Sequence, residues 1–163
     1  MGNLGKVVDG LLLLAFVGIL VIVPLDIPDS VVPYDRNPFY KFYTAVSQDY
    51  LVLERPPFFM ALMMLELFYL FPLAVLNIYG LLAGKPWFNS TCLIFGSSII
   101  ASTTAMVGDI LGSGKPSAAF MARLYSPFIP LGVLAVVRGL VPLSCKAAPI
   151  NANGPGLALK KKA

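Results

Sequence analysis

Glu66 is an acid in the middle of a long apolar segment. It lies ten residues after Pro56, and the stretch from Pro56 to Gly84 carries no other charge. At about 1.5 Å per helical residue, Glu66 is predicted roughly 15 Å into a hydrocarbon core about 30 Å thick. An ionised carboxylate is costly there, so it should face the interior of a helix bundle and be neutral or paired. Two interpretations stay open: a neutral acid in an interhelical hydrogen bond, or a functional site.

Asp26 is a second candidate acid, and it lies between Pro24 and Pro28 at the end of another apolar run. Prolines break helices and restrict the residue before them, which would let this carboxylate turn inward. Asp26 and Glu66 would then share one proton and bind a hydroxyl or an amine. Taken alone, Asp26 also fits a solvated helix end, and Asp49 and Glu54 are each predicted to be surface charges.

The composition defines the class of protein that must position these acids. Of 163 residues, 58 % are hydrophobic and 12 % are charged, the mean hydropathy is +0.81, and there is no histidine. Soluble domains average about 45–50 % apolar and about 25 % charged residues. A soluble domain, a disordered chain and a nucleic-acid binder are therefore excluded. Without histidine and with only Cys92 and Cys145, we expect no catalytic triad, no disulfide scaffold, no metal site and no cofactor.

Four apolar segments are long enough to cross a membrane. They predict helices near 7–25, 57–83, 87–110 and 123–143, with Arg138 snorkelling to extend the last. The predicted fold is all-α, a polytopic four-transmembrane-helix bundle. Four spans place both termini on one side of the membrane.

The basic residues favour cytosolic termini. The side that holds the termini carries seven of them: Lys6, Lys85, Arg138, Lys146, Lys160, Lys161 and Lys162. The other side carries five: Arg36, Lys41, Arg55, Lys115 and Arg123.

Further features concern a ligand cavity between the helices. Within the connection 26–56, the stretch Pro38 to Val46 is either a short helix that caps the bundle or a simple interfacial loop. Prolines at 72, 127 and 130 interrupt the second and fourth spans, which leaves room for a ligand. The hydroxyl residues of the third span are predicted to bond back to their own helix, with one or two facing the cavity: Ser97, Ser98, Ser102, Thr103 and Thr104.

The carboxyl-terminal segment is predicted to be separate from the bundle. Residues 1–146 form the expected membrane domain and residues 147–163 a flexible cytosolic tail, rich in Ala, Pro, Asn and Gly. The chain ends Lys160-Lys161-Lys162-Ala163, and Lys160 and Lys161 fit the dilysine signal for retrieval to the endoplasmic reticulum.

The motifs in this order resemble the EXPERA-domain family, and within it the sigma-2 receptor branch, over roughly residues 10–143. The resemblance rests on Glu54-Arg55-Pro56-Pro57-Phe58-Phe59, Leu65-Glu66-Leu67-Phe68-Tyr69-Leu70-Phe71-Pro72, Pro24-Leu25-Asp26, Lys41-Phe42-Tyr43, Asp49, Thr103-Thr104 and Leu124-Tyr125-Ser126-Pro127-Phe128. One position departs, because Leu70 stands where that branch has a glutamine.

The resemblance implies a protein of the endoplasmic reticulum with a sterol-sized pocket that opens to the membrane. It implies that Asp26 and Glu66 hold cationic amphiphiles, and that Tyr43, Asp49, Thr103, Tyr125 and Phe128 line or support the pocket. It also implies a role in sterol homeostasis with a sterol-transport protein as partner, and a homodimer is a candidate assembly. The expected protein is not an enzyme. Two alternatives stay open: a sterol double-bond isomerase of the emopamil-binding type, disfavoured by the missing histidine, and a small proton-linked transporter.

Overall fold

The computed structural model describes residues 3–25 and 38–141, and in these residues all regular structure is helical. The helices are α1 (Asn3–Leu25), α2 (Pro38–Ser47), α3 (Tyr50–Glu54), α4 (Pro57–Leu65), α5 (Phe71–Leu82), α6 (Phe88–Gly112), α7 (Ala118–Tyr125) and α8 (Phe128–Leu140). A five-residue π-helical turn, Glu66–Leu70, joins α4 to α5.

Among the described residues, four helical segments are long and apolar enough to cross a membrane, namely Asn3–Pro24, Pro57–Leu82, Phe88–Gly112 and Ala118–Leu140. The predicted all-α fold with four spans is confirmed. The second span consists of α4, the π turn and α5, and the fourth consists of α7 and α8. The predicted break in the fourth span is present, because a turn at Ser126 and Pro127 separates its two helices.

Residues 38–54, which lie between the first two spans, form a helical cap. Of the two interpretations left open for Pro38 to Val46, the structure shows the short helix, α2, and α3 follows it as a helix that the sequence interpretation missed. We call the end of the bundle that carries α2 and α3 the cap end, and the end where α1 begins and α8 finishes the terminal end.

The third and fourth spans pack closely because glycines remove side chains from their contact. A Cβ on Gly96 would lie 2.6 Å from the carbonyl oxygen of Gly132, and a Cβ on Gly139 would lie 2.7 Å from that of Asn89. Two other glycines make the turns between spans, since Gly84 and Gly114 have φ of +60° and +64°. The bundle therefore depends on glycine for both its closest contact and its connections.

In the part of the chain that the structure describes, two apolar clusters form the core. The larger one lies between the spans and is built from α1, the second span, α6 and α8; its side chains include Leu12, Phe16, Val23, Leu70, Leu73, Phe88 and Phe95. Phe16 and Phe95 meet edge to face with ring centroids 4.9 Å apart. The second cluster lies at the cap end and includes Tyr50, Leu51, Val52, Phe59, Met106, Ile110 and Met121. It attaches α3 to the second, third and fourth spans.

Arg138 closes the terminal end of the bundle. Its Nε donates to Asp9 Oδ1 at 2.6 Å, one of its terminal nitrogens donates to Asn89 Oδ1 at 3.0 Å, and its guanidinium lies 5.1 Å from the centre of the Phe88 ring. The side chain is only 9 % exposed. The expected snorkelling of Arg138 is therefore wrong, because the arginine turns into the bundle and links α1, α6 and α8.

Candidate functional site

A cavity of about 540 Å³ lies within the bundle, near the cap end. Its wall is mostly apolar and draws on α1, α2, α3, the second and third spans and both halves of the fourth. The described residues that form it are Ile19, Val21, Ile22, Tyr43, Val52, Phe59, Met63, Glu66, Ile99, Thr103, Met106, Leu124, Tyr125, Pro127 and Phe128. Four of these residues are polar: Tyr43, Glu66, Thr103 and Tyr125. The break at Pro127 contributes directly to the wall, as predicted for a proline-interrupted span.

Glu66 reaches the cavity at the first residue of the π turn. The backbone N–H of Phe71 donates to the Glu66 carbonyl, a bond that spans five residues instead of the four of an α-helix. Pro72 follows immediately and cannot donate a hydrogen bond of its own. π turns of this kind are frequent at functional sites. Glu66 is half-buried and lies in the wall, so the predicted inward orientation matches its placement.

Asp49 lies behind this wall as the shared hydrogen-bond acceptor of two wall tyrosines, and its side chain is fully buried. Its Oδ2 accepts hydrogen bonds from the Tyr43 hydroxyl at 2.9 Å and the Tyr125 hydroxyl at 2.7 Å. Its Oδ1 accepts the Leu51 N–H at 3.0 Å and so caps the N-terminus of α3. The interpretation of Asp49 as a surface charge is wrong, because these three donors replace water around the carboxylate.

The backbone takes a left-handed conformation on both sides of α3. Gln48 and Arg55 are non-glycine residues with φ of 49° and 50°. Such left-handed residues cost about 1–3 kcal/mol each and persist only where surrounding contacts compensate. Here the compensation comes from the buried Leu51 and Val52 and from the capping carboxylate. Sequence reasoning from the isolated acid had no signal for this, since the burial of Asp49 depends on Tyr125, which comes from another span.

The remaining predicted site residues have distinct positions. Thr103 and Phe128 line the cavity, whereas Thr104 faces outward. Ser97 and Ser98 both donate to the carbonyl of Ile94, and Ser102 donates to that of Ile99, as expected for hydroxyls that bond back to their own helix. Leu70, the position that departs from the sigma-2 receptor branch, is fully buried in the larger core cluster.

Asp26, Lys160 and Lys161 lie outside the described residues, as does Cys145. The shared proton between Asp26 and Glu66 stays a prediction.

A second polar cluster fastens the cap to the bundle outside the cavity. The Tyr50 hydroxyl donates to Asp109 at 2.5 Å, and the Lys115 ammonium lies 4.1 Å from the centre of the Tyr50 ring. Lys115 also pairs with Glu54, which is exposed as predicted. Burial, followed by the hydrogen bond to Asp109 and the negative charge of that residue, raises the pKa of Tyr50 to about 12. This cluster therefore links α3 to the last turn of α6, through Asp109, and to the loop after α6, through Lys115.

The geometry defines an apolar chamber in a membrane-spanning bundle, with a carboxyl group in its wall and a pair of tyrosines at one end. Such a chamber suits an amphiphile, whose apolar body contacts the wall and whose single polar group meets Glu66 or the tyrosines. Within residues 3–25 and 38–141, no three acidic or cysteine side chains come together in a way that would hold a metal ion.

Comparison with known families agrees with this class. Residues 37–139 match the family described as EBP: EXPERA (EXPanded EBP superfamily). The match covers more than half of the chain, and the protein belongs to this family, a superfamily of membrane domains that includes sterol-binding members and sterol isomerases. No curated protein and no solved structure matches the chain significantly.

Proposed function

We propose that this protein binds sterols and cationic amphiphiles in the cavity, without catalysing their conversion, in the manner of the sigma-2 receptor. The single observation that carries the proposal is the chamber of about 540 Å³ with Glu66 in an otherwise largely apolar wall. That volume falls within the range of about 300–1,000 Å³ typical of small-molecule sites. Membership of a family with sterol-binding members supports the same ligand class.

The preference for cations follows from the charges around the cavity. Among the described wall residues, Glu66 is acidic and none is Lys or Arg. A protonated amine beside a carboxylate in a poorly hydrated chamber gains far more electrostatic energy than the same pair in water. Asp26, if it turns inward as predicted, would strengthen this preference.

Binding measurements on purified full-length protein in lipid nanodiscs test the proposal. Glu66→Gln should weaken the binding of a cationic amphiphile by about ten- to a hundredfold, since hydrogen bonds to charged groups contribute roughly 1.5–3 kcal/mol. Glu54→Gln is the matched control, because it removes the same charge from an exposed acid outside the cavity and should leave the affinity unchanged. Full affinity in folded Glu66→Gln would refute the assignment of the cation site.

A turnover assay separates binding from isomerisation. Shifting a sterol double bond requires a positioned proton donor and acceptor, and the chain offers no histidine for either role. We expect bound sterol to be recovered unchanged from the purified protein after prolonged incubation. Recovery of a double-bond isomer that depends on Glu66 would instead establish an isomerase, and proton-coupled flux in vesicles would establish a transporter.

We further propose residence in the endoplasmic reticulum with cytosolic termini, a membrane domain over residues 1–146 and a retrieval tail over 147–163. This rests on the charge distribution and on Lys160 and Lys161. Replacing both lysines with Ser should let a protein tagged at its N-terminus reach later compartments. Unchanged localisation would reject the tail as the retention signal. A role in sterol homeostasis or trafficking, through a sterol-transport protein, belongs to the same proposal.

Glycosylation mapping tests the orientation. Asn89 begins an Asn-Ser-Thr sequon, but its amide oxygen accepts from Arg138, and Thr91 Oγ1 donates to Asn77 Oδ1 at 2.7 Å. Because both side chains are engaged in the bundle, we expect no glycan at Asn89 in either orientation. New sequons should therefore be inserted within 29–37 and within 147–158. Glycan on the first insert alone supports cytosolic termini, and glycan on the second alone overturns that orientation.

A further inference from the structure

Both tyrosines of the cavity wall donate their hydroxyl hydrogen to Asp49. The hydroxyls of Tyr43 and Tyr125 both donate to the same atom, Asp49 Oδ2, at 2.9 Å and 2.7 Å. A phenol has a single O–H hydrogen, and its oxygen keeps lone pairs that accept. Because their hydrogens are directed at Asp49, these hydroxyls have no hydrogen to donate to an occupant of the cavity and can contact it only as acceptors.

The direction of these bonds is set by Asp49. This residue is fully buried, and its Oδ1 already accepts the Leu51 N–H at 3.0 Å. An ionised carboxylate only accepts, so both tyrosines must donate to it. Even a protonated Asp49 has one hydrogen to give and could not donate to both phenols at Oδ2. At least one of the two tyrosines therefore donates its hydrogen to Asp49, whether or not that carboxyl group is protonated.

The rest of the wall supplies few donors. Among its described residues there is no Lys, Arg, Asn, Gln or Trp; the polar groups besides the tyrosines are the Glu66 carboxyl and the Thr103 hydroxyl. An ionised Glu66 accepts, like the phenol oxygens. A ligand group that can only accept would meet lone pairs at the tyrosine end and lose the hydrogen bonds that it made to water.

We propose that the Tyr43–Tyr125 end of the cavity selects occupants whose polar group donates a hydrogen bond, so that a sterol alcohol is bound in preference to its ether, ketone or sulfate ester. This inference rests on the proposed function and adds the chemical basis of its selectivity. It assigns two different contacts in one chamber: Glu66 recognises a cationic centre, and the tyrosine oxygens recognise a neutral hydroxyl. A sulfate ester is rejected most strongly, because the described wall offers it no cation.

A matched ligand series tests the selectivity on the wild-type protein. The 3β-hydroxysterol, its 3-methyl ether, its 3-ketone and its 3-sulfate share one ring system and differ at one polar group. In equilibrium competition on full-length protein in nanodiscs, we expect the ether and the ketone to bind about tenfold more weakly than the alcohol, as one net hydrogen bond predicts. The sulfate should bind more weakly still. Equal affinity of alcohol, ether and ketone would overturn the inference while leaving sterol binding intact.

Variants then locate the acceptor. Tyr125→Phe and Tyr43→Phe should each reduce the ratio of alcohol to ether affinity. Tyr79→Phe, which alters an exposed tyrosine outside the cavity, should leave the ratio unchanged. Thr103→Val should also preserve the ratio of alcohol to ether affinity. If Thr103→Val brings this ratio to one while both phenylalanine variants retain the preference for the alcohol, the selecting group is Thr103 and the inference is wrong. Failure of every sterol to bind the wild type would instead remove the proposed function itself.

Discussion

Tyr125 and Asp49 are 76 residues apart in the chain and are joined by a hydrogen bond of 2.7 Å from the tyrosine hydroxyl to the carboxylate. This contact ties the fourth span to the cap between the first two. Because Tyr125 also lines the cavity, the bond couples the stability of the cap to the shape of the chamber. A bundle without it would retain its spans but lose the polar support at one end of the site.

The tyrosines around Asp49 should contribute measurably to stability. Removing one hydroxyl deletes a hydrogen bond to a charged group, worth roughly 1.5–3 kcal/mol. We expect Tyr125→Phe to lower the thermal midpoint in detergent, and Asp49→Ala to lower it further because it also removes the cap of α3. The double variant Tyr43→Phe/Tyr125→Phe should be non-additive, since both hydroxyls share Oδ2. Strict additivity would mean that the two bonds do not act as a unit.

Gly96 should be intolerant of substitution, whereas Gly108 on the same helix should not. A Cβ on Gly96 would come within 2.6 Å and 2.7 Å of backbone atoms of Gly132 and Val136, while one on Gly108 would meet nothing within 4 Å. Overpacking of this kind costs about 1–3 kcal/mol. We expect Gly96→Ala to destabilise the bundle in thermal unfolding and Gly108→Ala to be neutral. Similar midpoints for the two variants would argue against a close contact between the third and fourth spans.

The pair of Asp9 and Arg138, whose side chains are 16 % and 9 % exposed, should be costly to break on one side. Arg138→Met leaves the Asp9 carboxylate without its cation, and the loss of one partner of a buried pair costs about 3–5 kcal/mol. Arg123→Met, at an exposed arginine, is the control and should have little effect. The double variant Asp9→Leu/Arg138→Met should recover most of the thermal stability, because no charge stays unpaired. An equal loss of thermal stability in Arg138→Met and Arg123→Met would show that Arg138 is solvated.

Alkaline pH should loosen the cap through Tyr50. Its pKa is raised from 10.0 to about 12 by burial and by Asp109, so the neutral phenol is the form that the fold favours. For a group whose pKa is raised on folding, the stabilisation is complete below pH 10 and is lost as the pH rises through 12. The difference in thermal midpoint between wild type and Tyr50→Phe should therefore shrink between pH 10 and pH 12. A difference in thermal midpoint that stays constant between pH 10 and pH 12 would contradict the raised pKa of Tyr50.

The spans could be predicted from sequence because each depends on a local property, whereas the cap helix α2 was one of two interpretations that the sequence left open. Apolar length predicts the membrane helices, and Pro127 predicts the break in the last span. Glu66 was identifiable for the same reason, as an acid within an apolar run. The local sequence of Asp49 predicted a surface charge, and only the family resemblance placed this acid at the pocket. Arg138 was expected to snorkel. Each is buried by a partner distant in the chain, Tyr125 for Asp49 and Asp9 for Arg138. Their local sequences resemble those of ordinary surface charges.

The π turn has a consequence for how relatives of this chain should be aligned. It contains one residue more than an α-helical turn, and each residue of an α-helix advances by about 100°. A homologue that lacked one residue between Glu66 and Pro72 would form a continuous helix and rotate its acid by about that angle relative to α5. Gap placement in this short stretch of the second span therefore decides whether a glutamate of a relative is equivalent to Glu66.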